Sequence, residues 1–468
     1  MKVTHTPLIP TEAAKAAGRP CFTPELLAAS GARYSRNNSG IEEIYSKIDF
    51  NNLDKSVDGI FKMVDYGHQS IADMTPVAMF MDEMSLYLAY HLWSMCAVVG
   101  GQESSTRYIK ISVDGVVDPD ILGIPKEHQA DWRQFIANSF VAYNDAVNFW
   151  ENLSRENPSM MRIPESVIND TTDKGVKVLE RMRRNYVFDR ARYFLPLGAA
   201  TNVMMVMPAR EWVKLINDLL SSSIREFNML GEALRVELDL CAPRLLRHAI
   251  ATDSTIAVVQ DEFEWARKNA DFVWSRYEEP GKPYLKVFPP NDCGDFIGCD
   301  DKDYPIALQH RTNRYSRFGS SIRRTGVRFG WNAVAMAEIR DLNRHRTGEK
   351  FCPLIPLGFY AALDQLPEGI GDNTISDLAT WGANRTTEAR NMLANDSNHS
   401  YMYYTLLGSE FPFEHLTTAN HFLYEAELRT GVGAHYRYAK HLKDVLQLWY
   451  QLYPDTKRYI FEGSAEPE

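Results

Sequence analysis

Gly100-Gly101-Gln102-Glu103-Ser104-Ser105-Thr106-Arg107-Tyr108 puts a freed backbone beside a carboxylate, hydroxyls, a guanidinium and a phenol. Backbone N–H groups, serine hydroxyls and the planar donor fork of an arginine can together cradle a phosphate or nucleotide. The same residues also read as a solvated turn after a buried helix. The chain on either side decides between the two.

Upstream, Val57, Ile60, Phe61 and Val64 predict a helix from Leu53 to Asp65, ended by Gly67-His68-Gln69-Ser70. A short strand is expected over Thr75 to Asp82, and a buried helix over Met84 to Val99. Downstream, 127–155 reads as a long helix. Leu179 to Val206 reads as helical with Pro196 interrupting, and Glu211 to Leu238 as one amphipathic helix, with helical pattern to about Arg267. Between Tyr277 and Pro305, Pro280, Gly281, Pro283, Pro289, Pro290, Gly294 and Gly298 cluster, which suggests a linker over 276–305.

After it the order recurs. Gly319-Ser320-Ser321 stands where Gly67-His68-Gln69-Ser70 stood. Val327, Phe329 and Trp331 alternate as in a half-buried strand, and a helix follows from Ala333 to His345. Thr417 to Tyr438 reads as a helix pair broken at Gly431 and Gly433. The expectation is an α+β chain of two tandem copies of one domain, 1–275 and 306–468, each a small antiparallel sheet with long helices.

The 468 residues carry a net charge of −10, which argues against a broad basic face for nucleic acid but not against a local phosphate pocket. No apolar run reaches membrane-spanning length, and the N-terminus is too polar for a signal peptide. Cys21, Cys96, Cys241, Cys293, Cys299 and Cys352 lack metal-ligand spacing and suggest reduced thiols, so a cytoplasmic protein without a metal site is expected.

The second copy ends a helix in Arg340-Asp341-Leu342-Asn343-Arg344-His345-Arg346-Thr347, whose cations alone would suit the helix C-terminus. The first copy holds His68 and Ser70, then Gln102-Glu103-Ser104-Ser105-Thr106-Arg107-Tyr108, then Arg192 in Arg-Tyr-Phe-Leu-Pro-Leu, and Arg210 in Pro-Ala-Arg. The second keeps Arg344-His345-Arg346 and Leu428-Arg429. Taken together these motifs resemble the signature of the flavin-dependent thymidylate synthases (ThyX). Neither copy holds the whole of it, and their losses are complementary. In that family the nucleotide pocket is shared between subunits, so a fused pair needs each part only once.

The resemblance implies FAD as cofactor, NADPH as reductant and methylene-tetrahydrofolate as one-carbon donor to a pyrimidine deoxynucleotide. It implies that Glu103, Ser104, Ser105, Thr106, Arg107, Arg192, Asp341, Arg344 and Arg429 bind substrate. Ser105, Arg344 and Arg429 would carry the chemistry, with Arg429 polarising the pyrimidine N3–C4 edge. His68, Ser70, Arg210, Arg344, His345, Arg346 and Thr347 match flavin-contacting positions, although His68 and Ser70 could also cap a helix and Arg210 could form a surface ion pair. Asp341 stands where the family has glutamine, which keeps a cytosine acceptor or a hydroxymethyl product open, as does a non-catalytic binding relative. Altered Thr418, Asn420 and Tyr424 suggest fewer flavins than in the parent tetramer. A homodimer of two-copy chains is expected.

Overall fold

The computed structural model describes residues 1–18, 21–35, 41–62, 70–161, 163, 165–277, 280–290, 301–369, 373–431 and 433–463. Among them lie two four-stranded antiparallel sheets of identical strand order. One runs β1-β2-β4-β3, from Lys2–His5 (β1), Pro76–Ser85 (β2), Gly100–Glu103 (β3) and Ala200–Pro208 (β4). The other runs β5-β6-β8-β7, from Pro283–Phe288 (β5), Gly326–Ala335 (β6), Glu349–Phe351 (β7) and Glu410–Thr418 (β8). Both carry the same irregularity: the register slips between Met81 and Met84 in β2, and between Trp331 and Val334 in β6. Equal order and an equally placed bulge make this a duplication of an α+β unit.

Helices follow the strands in matching places. In the first repeat these are Leu86–Met95 (α1), Gln129–Glu156 (α2), Asp173–Ala191 (α3), Ala209–Ser221 (α4), Arg225–Cys241 (α5) and Asp253–Ser275 (α6). In the second they are Met336–Leu342 (α7), Asn373–Asn395 (α8), Ala419–Thr430 (α9) and Tyr436–Leu452 (α10). The sequence accounts for these elements directly. In β4, Thr201, Val203, Met205 and Met207 are buried at every second position, as a one-sided strand requires. In α4, Trp212, Leu215, Ile216 and Leu219 line one buried stripe.

Several boundaries depart from expectation. The Gly100-Gly101 pair is an edge strand rather than a turn, and a Cβ on Gly101 would fall 2.1 Å from the Met204 carbonyl oxygen of β4. The helical reading of Leu179 to Val206 fails after Ala191. A 3-10 turn, Arg192–Phe194, follows, and 200–208 is strand β4. The single helix expected over Glu211 to Leu238 is two, because Ser222 leaves the helix and its Oγ accepts the Ile224 N–H at 3.1 Å. Strand β6 runs to Ala335, so the following helix is shorter than Ala333 to His345. The presumed linker 276–305 contains β5, whose full length pairs with β6. Cys293 and Cys299 lie outside the described residues.

The chain forms two compact units that do not follow the repeats. One comprises 1–105, 112–132 and 198–262; the other comprises 106–111, 133–197 and 263–468. The first holds the sheet β1–β4 on a core that includes Met79, Met81, Leu88, Met205 and Trp212. The second holds the sheet β5–β8 together with all of α3 and most of α2, which come from the first repeat. What ties α3 there is backbone pairing between equivalent segments. Leu197 N–H donates to the Thr405 carbonyl at 3.0 Å, Leu407 N–H to that of Leu195 at 2.8 Å, and Gly408 N–H to that of Tyr193 at 2.7 Å. Buried backbone groups must find partners, and here each repeat satisfies the other's. No helix among the described residues is long and apolar enough to cross a membrane.

Candidate functional site

Within the second unit, Arg192 and Asp341 meet. Arg192, 2% exposed, donates from Nη1 and Nη2 to Asp341 Oδ2, both at 3.3 Å, and from Nη2 to Glu338 Oε1 at 3.4 Å. Glu338 and Asp341 lie one turn apart on α7, so both carboxylates face the same guanidinium. Glu338 Oε1 also accepts from Tyr193 Oη at 2.8 Å, while its buried Oε2 has no partner among the described residues. Burial pushes Glu338 up to about 7 against the pull of Arg192 and Arg437. Asp341 ends lower than an ordinary carboxylate: burial opposes its ionisation, but Arg192, Arg344, Arg107 and Arg429 outweigh it. Guanidiniums from both repeats thus converge on one buried acid.

Arg107 grips Asp189 in a bidentate pair, Nε to Oδ1 at 2.7 Å and Nη2 to Oδ2 at 3.0 Å. The backbone carbonyl of Asp189 accepts from Nε2 of the buried His435 at 3.2 Å, and His435 Nδ1 accepts the Arg437 N–H at 3.2 Å. That pair of bonds requires the neutral imidazole, and burial with Arg192 and Arg107 nearby holds His435 well below its ordinary pKa.

Arg429 is held differently. Its Nε donates to His345 Nε2 at 2.6 Å, and its guanidinium lies 5.4 Å from the centre of the Tyr438 ring. His345 is 8% exposed, and burial is the main cause of its depression to about 3, so it accepts as a neutral ring. Arg344 reaches Asp341 only through Nε–Oδ1 at 3.9 Å. Among the described residues, the Nη atoms of Arg344 and Arg429 have no partner, so these two arginines present open forks to an anionic or carbonyl-bearing ligand. The Thr347 carbonyl pairs with His415 Nε2, and Arg346 is partly exposed.

The other predicted residues fall mostly in the first unit. Glu103, Ser104, Ser105, Ser70 and Arg210 belong to the first unit, whereas Thr106 begins the segment of the second. Glu103 accepts from Trp93 Nε1 at 3.1 Å, and the Ser104 N–H is taken by the Asn202 carbonyl at 3.0 Å. Arg210 pairs with Asp73 at 2.9 Å, the surface ion pair that its exposure allows. Ser70 opens the short helix Ser70–Asp73, and His68 lies outside the described residues.

Sequence reasoning missed Asp189, Glu338 and His435. Asp189 stands one turn before Arg192, and Glu338 is a lone acid in the apolar run Met336-Ala337-Glu338-Ile339. Each was a signal that a buried cation needed a partner.

Residues 13–243 match the family described as thymidylate synthase complementing protein (Thy1). No curated protein matches the chain. Among solved structures, a flavin-dependent thymidylate synthase ThyX from Helicobacter pylori complexed with FAD and dUMP is 14% identical over 53% of this chain and 100% of its own, with a TM-score of 0.31. Thymidylate Synthase X from the same organism with FAD and dUMP, in a second structure, is 15% identical over 54% and 100%, with a TM-score of 0.30. A UMP/dUMP methylase PolB from Streptomyces cacaoi bound with 5-Br dUMP is 14% identical over 48% and 89%, with a TM-score of 0.30.

Proposed function

The chain belongs to the thymidylate synthase complementing protein family, a thymidylate synthase-like enzyme in kind, and from that premise we propose that it carries a one-carbon unit from methylene-tetrahydrofolate to C5 of a pyrimidine deoxynucleotide, dUMP to dTMP. The observation that carries the reading is the convergence of Arg192 and Arg107 with Arg344 and Arg429 around Asp341. Arg344 and Arg429 offer open donors for the nucleotide. Arg107 and Arg192, each engaged by a carboxylate, set the shape and charge of the wall behind it. Arg429, oriented by neutral His345, is the group assigned to polarise the pyrimidine N3–C4 edge. Glu103, Ser104 and Ser105 are assigned to substrate on the motif alone.

The donor set fits an anionic flavin. Arg344 presents unpaired Nη groups, and His345, Arg346 and Thr347 adjoin it in sequence. When bound, FAD supplies the hydride, with NADPH as its reductant. The chain's residues bind, orient and exclude water. The assembly proposed is a homodimer of two-repeat chains.

A second reading rests on Asp341. Its Oδ1 has no hydrogen bond among the described residues, with Arg344 3.9 Å away, so it can accept from the exocyclic amine of a cytosine. Absorbance from 350 to 500 nm and product mass after incubation with dUMP or dCMP, methylene-tetrahydrofolate and NADPH test both readings. A flavin spectrum with dTMP supports the first, and turnover of dCMP alone or a hydroxymethyl product supports the second. A reconstituted protein with neither flavin nor turnover would overturn both in favour of a binding relative.

A further inference from the structure

On the second unit, α2 and α3 enclose an open groove of about 400 Å³ with Val147, Val187 and Phe188 on its wall. Lys110, Lys177, Arg181 and Arg184 line it, and none of them has an acidic partner among the described residues. The carboxylates there are already engaged. Glu151 accepts from Arg155 at 2.9 Å, and Glu180 pairs with Arg183 and, at 3.3 Å, with Arg155.

The free cations form a stripe rather than a cage. Arg181, Arg184 and Phe188 follow one face of α3 at helical spacing. A compact phosphate calls for converging donors, whereas a row of separated cations beside an apolar wall suits a linear chain of carboxylates. The stripe also runs toward the cluster described above. Arg192 lies roughly 16 Å further along the chain from Arg181 at helical rise, and Lys110 follows Arg107 by one short step of chain.

We propose that this groove holds the oligo-γ-glutamyl tail of the folate donor. The assignment rests on the function proposed above, because the tail belongs to that substrate. Each exposed cation contributes little, so the effect is cumulative and salt-sensitive.

The test uses the full-length chain and two readouts. The first is anisotropy of a fluorescein-labelled penta-γ-glutamate peptide, which needs no catalysis. The second is the ratio of KM for mono- over pentaglutamyl methylene-tetrahydrofolate. Wild type should bind the peptide and show a ratio of about ten. The triple variant Lys110→Glu, Arg181→Glu, Arg184→Glu should lose peptide binding and bring the ratio to about one, with kcat and nucleotide KM unchanged. The milder Lys110→Gln, Arg184→Gln should fall between them and guards against misfolding of the triple variant. Equal ratios in wild type and variants, or peptide binding insensitive to the substitutions, would overturn the proposal. Absence of all turnover would count against the proposed function, while the peptide titration would still judge the groove.

Discussion

Arg192, from the first repeat, donates through both terminal nitrogens to Oδ2 of Asp341, from the second, at 3.3 Å in a site where neither is more than 8% exposed. Equivalent backbone segments, Tyr193 to Leu197 and Thr405 to Gly408, bring them there by hydrogen-bonding to each other. A charge pair this deep costs desolvation and holds only while both partners are present.

Truncating one partner should therefore be expensive. Asp341→Ala leaves Arg192 with Glu338 alone and should lower unfolding free energy by about 3–5 kcal/mol. Urea denaturation measures it, and a loss under about 1 kcal/mol would show that Arg192 finds compensation elsewhere.

Glu338 should make the fold less stable as pH rises. In the unfolded chain it loses its proton near 4.5, whereas burial keeps the folded group protonated to about 7. Between those values the folded state binds more protons, so stability falls with increasing pH. Glu338→Gln should remove that fall, which thermal melts from pH 4.5 to 8 would reveal as a flatter profile. An unchanged profile would mean that Glu338 is ionised in the fold.

His345 should act in the opposite direction. Its folded value of about 3 lies below the 6.5 of the free ring, so the unfolded chain binds the extra proton in that window. Stability should drop as pH falls from 6.5 toward 3. His345→Leu should flatten this acid limb and, by leaving Arg429 Nε without its acceptor, raise the KM for nucleotide by about tenfold. A variant with the wild-type acid limb would show that His345 is charged in the fold.

The duplication was legible because it rests on local pattern. Val327, Phe329 and Trp331 announce a strand, and the break expected around Gly431 and Gly433 falls between α9 and α10, although the pair begins after Thr418 and α10 runs on to Leu452. Arg107, Arg192, Arg344 and Arg429 were also legible, since arginines in fixed motifs stand out. Of their partners, Asp341 and His345 stood in the same motif, while others did not stand out. Asp189, Glu338 and His435 occupy ordinary helix or loop positions, and only non-local pairing gives them a role. The compact units were hidden for the same reason, since α3 is continuous with the first repeat in sequence yet is held by segments more than 200 residues later, such as Thr405 to Gly408.

Whether residues of both repeats serve one nucleotide is decided by calorimetric titration of dUMP into wild type, Arg107→Ala and Arg429→Ala, each checked for folding by thermal melt. Each substitution should weaken binding by at least about tenfold, or 1.4 kcal/mol. Wild-type affinity in either folded variant would contradict a shared site.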